Sequence, residues 1–112
     1  MKKYILIADP SKLSRFLLEK LLQEKYNLLV VSSYSEALEA LKEALPTIAI
    51  ISYDLEDGNG LDLCKYLNNS KKFRNVPVII ISSNYDEKTR AKAYESGAID
   101  FFSKTDLGIT LT

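Results

Sequence analysis

The chain contains no histidine, and that absence removes more chemistry than any other feature of its composition. Histidine-dependent triads, histidine metal sites and a histidine phosphocarrier are all excluded. Cys64 is the only cysteine, so no internal disulfide forms and a reducing cytoplasm is the expected location. Only four glycines occur, and none precedes Gly58. The turn after the first apolar run, Ala8-Asp9-Pro10-Ser11-Lys12, therefore carries neither a dinucleotide fingerprint nor a P-loop. An excess of charge is missing too. Fifteen Lys and Arg face fifteen Asp and Glu, so the formal net charge is zero. That argues against nucleic acid or an anionic membrane as the main partner. No apolar stretch approaches the roughly 18–20 residues of a membrane span. The opening MKKYILIADP begins like a signal peptide, but Asp9-Pro10 interrupts it too early.

What is present is one domain's worth of chain, 112 residues with 46% apolar content, enough for an ordinary core. Its organising stretch is Pro46 to Leu61. Ile48 to Ile51 is a continuous apolar run, which reads as a strand buried on both faces. It ends at Ser52-Tyr53-Asp54 and enters an acidic, glycine-bearing loop, Leu55 to Gly60, before LDLCKYL begins a helix. Open α/β sheets place their sites where such strands end.

The rest of the chain repeats this alternation. Tyr4 to Ala8 is a strand, and Asp9-Pro10-Ser11 is a helix-start signal. Leu13, Phe16, Leu17, Leu21 and Leu22 recur at helical spacing to about Glu24. Leu28 to Val31 is the second strand. Ser33 and Glu36 fit a capping box, and the helix carrying Ala37, Leu38, Leu41 and Ala44 is stopped by Pro46. The third helix fades into Asn68 to Asn75. Pro77 opens the fourth strand, ending at Ser82-Ser83. Asp86 to Ser96 is a helix closed by Gly97, and Ile99 to Phe102 is the fifth strand, followed by Ser103-Lys104.

Strand and helix thus alternate five times, which predicts a parallel sheet with right-handed crossovers. The expected fold is a flavodoxin-like three-layer sandwich of strand order 2-1-3-4-5. That order sets Asp9 beside Ser52 at the carboxyl edge, with Ser82 and Lys104 ending the next two strands.

These residues carry a resemblance. From end to end the chain resembles the receiver domains of bacterial response regulators, through PTIAIIS…NGLDLC, VPVIIISS and SGAIDFFSK. The resemblance implies an acidic pair after the first strand, an aspartate phosphoacceptor ending the third, Ser or Thr after the fourth and Lys after the fifth. This sequence departs from it. The acidic pair is Asp9-Pro10, the acceptor position is Ser52, and Thr105 stands where proline usually follows the lysine. Ser82, Lys104 and Phe101 hold the phosphate and switch positions.

The departures have chemical consequences. Mg²⁺ favours several carboxylates plus waters, and Asp9 is retained alone. A serine hydroxyl without a neighbouring base is a weak nucleophile. Asp54 lies two residues beyond Ser52, so an extended backbone would turn it to the same side. It would then restore a pocket acid, weakly hold metal with Asp9, or serve as the alternative acceptor. The expectation is a degenerate, non-enzymatic pseudo-receiver with no cofactor, or weak Mg²⁺ at most. Its partners would be a signalling kinase, an output domain or a second receiver. Lys104 is expected to turn to Asp9 or Asp54. Tyr53 and Tyr85 read as surface contacts, and Lys71-Lys72-Phe73-Arg74 as a solvated loop. The resemblance also implies a fifth helix. Only Thr105 to Thr112 remain for it, so this helix is expected to be missing or truncated and the chain to be a piece of a longer protein. The exposed sheet face is expected to be covered by a symmetric partner chain or by the tail.

Overall fold

The computed structural model describes residues 3–108. Five parallel strands form one sheet: β1 (Tyr4–Ala8), β2 (Asn27–Val31), β3 (Ile48–Ser52), β6 (Val78–Ser82) and β7 (Asp100–Ser103), in the order β2-β1-β3-β6-β7. Counting these long strands alone gives the expected 2-1-3-4-5. The remaining pair, β4 (Asp54–Leu55) and β5 (Gly58–Asn59), is a separate small antiparallel hairpin. Four helices lie among the described residues: α1 (Lys12–Leu22), α2 (Tyr34–Leu41), α3 (Gly60–Asn69) and α4 (Glu87–Glu95).

Each helix start is set by a short polar side chain. Ser11, Ser33, Asn59 and Asp86 each accept a hydrogen bond from the backbone N–H three residues on. The predicted capping box is altered. Ser33 Oγ accepts from the Glu36 N–H as expected, but the Glu36 carboxylate turns to the N–H and hydroxyl of Ser32. Helix α2 also stops at Leu41, so Ala44 lies in a connecting segment rather than on the helix face. Gly97 closes α4 at φ 106°, a conformation that disfavours any side chain.

Strand alternation divides the apolar residues into two clusters. Leu6, Ala8, Ala49, Ile51, Val78, Ile80 and Phe101 face α2, α3 and α4, with Leu63, Cys64 and Leu67 of α3 fully buried among them. On the other face Ile5, Ile7 and Ile81 pack with Leu18 of α1. Here Ile48, Ile50, Ile79 and Phe102 are only partly buried. The helices are thus distributed three to one. The chain beyond β7 continues as a turn through Gly108, with Leu107 exposed. The apolar tail positions Ile109 and Leu111, expected to cover this face, lie outside the described residues.

Candidate functional site

The four chemistry-bearing residues come together because parallel strands end at one edge. Asp9 follows β1, Ser52 ends β3, Ser82 ends β6 and Lys104 follows β7. The ladder continues into this edge. The Asp9 N–H donates to Val31 O, Tyr53 N–H to Ile81 O, and Lys104 N–H to Ser82 O. Asp9 and Lys104 are therefore positioned by sheet hydrogen bonds rather than by free loops.

Asp9 is completely buried and Lys104 nearly so, at 5% exposure. The Lys104 ammonium lies 2.9 Å from each carboxylate oxygen. Oδ1 accepts a hydrogen bond from it and another from the Ser11 N–H at 2.9 Å. Oδ2 has the ion-pair contact but no well-directed hydrogen bond among the described residues. The Arg15 guanidinium donates to the backbone carbonyl of Asp9 at 2.8 Å, bracing the turn from α1. Of the two carboxylates weighed for Lys104, the nearer in space is thus Asp9.

Ser52 and Ser82 are each 3% exposed at the floor of the edge. Ser82 Oγ accepts from the Asn84 N–H at 3.1 Å, turning the chain toward α4. Phe101 is buried at 2% exposure, and its ring meets the exposed Tyr85 ring at 5.4 Å between centroids. Arg90 donates to the Tyr85 hydroxyl at 3.1 Å, so Tyr85 is a held surface residue.

Asp54 is exposed and forms no ion pair with Lys104 among the described residues. The chain leaves the sheet after Ser52. The Tyr53 N–H still bonds Ile81 O, while Tyr53 O accepts from the Gly60 N–H at 2.7 Å. Between them Asp54 pairs with Asn59 and Leu55 with Gly58. This tight hairpin turns Leu55 into the core and leaves Asp54 exposed. Alternation along one strand no longer applies once the strand has bent into a second ladder. Among the described residues the one buried carboxylate at this edge is Asp9, already matched by an ammonium. That set does not fit Mg²⁺, which needs several oxygen donors with negative charge left over. Among the described residues, no group of three His, Cys, Asp or Glu is placed to hold a metal.

Two residues that sequence reading passed over help build the site. Arg15 carries only an i+6 spacing from Asp9, which no helix rule singles out. Asp57 reaches across the fold. Its carboxylate accepts from the N–H groups of Tyr34 and Ser35 and from the Ser35 hydroxyl, filling the open N-terminus of α2. It thereby straps the β4–β5 hairpin to α2. No local signal announces a contact made across more than twenty residues of sequence.

These bonds, the Ser35 hydroxyl foremost, hold the Asp57 carboxyl below the usual aspartate range. A depressed folded-state value stabilises the fold above the ordinary aspartate value, and that contribution is lost as pH falls through the depressed one. Asp57→Asn is therefore expected to flatten the acid limb of the stability curve below about pH 4. Urea midpoints measured from pH 7 to pH 2 check it. An acid limb as steep as that of the unaltered protein would refute the strap's charge dependence.

Comparison with known proteins agrees with this geometry. The description "Response regulator receiver domain" fits residues 5–107. The phosphate regulon transcriptional regulatory protein PhoB of Escherichia coli is 22% identical over 103 residues, covering 92% of this chain and 45% of PhoB. This chain thus spans less than half of that relative's length. The two-component response regulator ORR3 of Oryza sativa subsp. indica is 30% identical over 103 residues, covering 90% of this chain and 79% of ORR3. Among solved structures, the signal receiver domain of a signal transduction histidine kinase from Syntrophus aciditrophicus superposes with a TM-score of 0.82 at 28% identity. That match covers 91% of this chain and 78% of the other. With the family description spanning nearly the whole sheet and the strand-end residues gathered at one edge, this chain belongs to the response regulator receiver domain family.

Proposed function

We propose that this domain is a pseudo-receiver, a signalling module of a two-component system that acts through protein contacts without an aspartyl-phosphate cycle. The observation that supports this most is that β3 ends on Ser52, at the position where the family resemblance implies the acceptor aspartate. A serine hydroxyl needs a base to become a competent nucleophile. The one nearby carboxylate, Asp9, is buried and committed to Lys104. Pro10 supplies no second acid, and the donor set does not favour Mg²⁺. Phosphoryl transfer relies on positioning and charge neutralisation of a nucleophile, and here the neutralising lysine already has its anion. The domain is not an enzyme on this reading, and its place is the cytoplasm. Its partners are proteins: a signalling kinase, an output domain or a second receiver.

The expected result is that acetyl phosphate with excess Mg²⁺ leaves the intact mass unchanged. Ser52→Asp should increase Mg²⁺ affinity, because it adds a second carboxylate beside Asp9. It need not restore phosphorylation while Pro10 withholds another. A hydroxylamine-labile phosphoryl adduct on the unaltered chain, mapped to Asp54, would replace this reading with that of a receiver that uses the hairpin aspartate as its acceptor.

A further inference from the structure

Zero net charge conceals a separation of charge along the strands. All five sheet strands run the same way, so each connecting segment lies at one of two opposite edges. Among the described residues, the exposed charges in the segments at the carboxyl edge are Asp54, Glu56, Asp57, Asp86 and Asp106, all acidic. The base there, Lys104, is buried against Asp9. The first helical turns at this edge add acids and bases in near balance. Among the described residues, the connecting segments at the amino edge expose the bases Lys3, Lys25, Lys42, Lys71, Lys72 and Arg74 against the acids Glu24 and Glu43, and Lys42 is paired with Glu39 of α2.

The centre of the basic edge is exposed to solvent as expected, and its backbone is held in an ordered turn. Phe73 is buried to 4% exposure and lies 6.4 Å from the Tyr66 ring, centroid to centroid. The N–H groups of Phe73 and Arg74 both donate to Ser70 O, and the Val76 N–H donates to Phe73 O. Lys71, Lys72 and Arg74 are thus exposed on a fixed turn, with the Lys72 ammonium 5.2 Å from the centre of the Phe73 ring. None of the three forms an ion pair among the described residues.

We propose that this basic turn docks against the acidic carboxyl edge of a second copy, so that the domain associates head to tail. The charges on the two edges are opposite in sign, and one molecule cannot neutralise them internally. A five-residue strand separates them by roughly 16 Å, about twice the Debye length of about 8 Å at physiological salt. A second copy offers the missing counter-charge. The two surfaces differ and lie at opposite ends, so the contact is heterologous and extends into chains rather than closing as a two-fold dimer. Single surface ion pairs are weak, so the association rests on several acting together and is sensitive to salt. A polyanion such as DNA would also meet the basic turn. The acidic edge and the zero net charge oppose that partner. The proposal does not depend on the pseudo-receiver reading and holds whether or not Asp54 accepts phosphate.

Sedimentation velocity on the full chain tests it. At about 20 mM salt the sedimentation coefficient should rise with concentration, and at about 300 mM that rise should vanish, because screening shortens from about 20 to about 6 Å. The triple variants K71E/K72E/R74E and D54K/E56K/D106K should each sediment as monomers at low salt, with unchanged circular dichroism confirming the fold. Their equimolar mixture should associate again, since each supplies the charge the other lacks. Association that survives the K71E/K72E/R74E change, or a monomer at low salt up to millimolar concentration, would overturn the proposal. So would tighter binding of a short DNA duplex to the unaltered chain than of one copy to another.

Discussion

Asp9→Ala is expected to destabilise the domain by about 3–5 kcal/mol, because it leaves the Lys104 ammonium buried without a counter-charge. Domains of this size are stable by about 5–15 kcal/mol in total, so the loss is a large share. A shift of about 4–8 °C per kcal/mol for domains near 100 residues puts the drop in Tm at roughly 12–40 °C. Lys104→Met is expected to cost a similar amount, since it strands the carboxylate of a completely buried aspartate. The double variant D9A/K104M should recover much of the loss, because removing both charges also removes the desolvation each requires. Thermal melts of the two single variants and the double variant form a cycle whose coupling measures the pair. Single variants that each cost less than about 1 kcal/mol would mean the pair behaves as a surface salt bridge. The burial of both side chains and the 2.9 Å contacts would then contribute little.

Gly60→Ala is expected to cost about 3 kcal/mol or more, although it adds a single methyl group to a helix N-terminus. The reason is close approach rather than backbone angle. A Cβ at Gly60 would stand 2.0 Å from the carbonyl oxygen of Ser52 and 2.7 Å from Cγ2 of Ile51. The first of these is backbone at the very end of β3, so relief requires the strand and α3 to move apart. The Gly60 N–H bond to Tyr53 O would lengthen with them. Because that bond closes the hairpin carrying Asp54 and Asp57, the damage should reach α2 through the Asp57 strap. Hydrogen exchange should show lost protection at both Gly60 and Tyr34. Gly58→Ala serves as the control, since its nearest heavy atom is Tyr34 Cβ at an ordinary 3.9 Å. Equal stability of the two variants would show that the packing of Gly60 against β3 is not constraining.

The strands and helices were legible in the sequence because their signals are local. Continuous apolar runs at Ile48–Ile51 and Val78–Ile81 read as buried parallel strands, and the structure places them at the centre of the sheet. Gly97 after a polar helix read as a cap and adopts positive φ. The strand ends named Asp9, Ser52, Ser82 and Lys104 before any coordinate, since alternation with short connections leaves one topology to consider. The misreadings fall where the chain departs from regular periodicity. Strand alternation predicts a side for Asp54, but its backbone bends into a two-residue ladder. Helical spacing predicts Ala44 on α2, but the helix ends a turn earlier.

By itself, then, the sequence determined the order of elements, the sheet topology they imply and the chemical identity of the residues at its carboxyl edge. It also determined that proline and serine stand at positions 10 and 52, where the family resemblance implies carboxylates. Tertiary structure alone decided which groups meet. Lys104 pairs with Asp9, 95 residues away, rather than with Asp54. Asp57 joins a hairpin to α2, and opposite charges gather at opposite edges of a chain whose total is zero. The physical reason is common to all three. Periodicity and capping act over three or four residues, whereas ion pairing, screening and steric contact depend on distances in space that only the packed sheet defines.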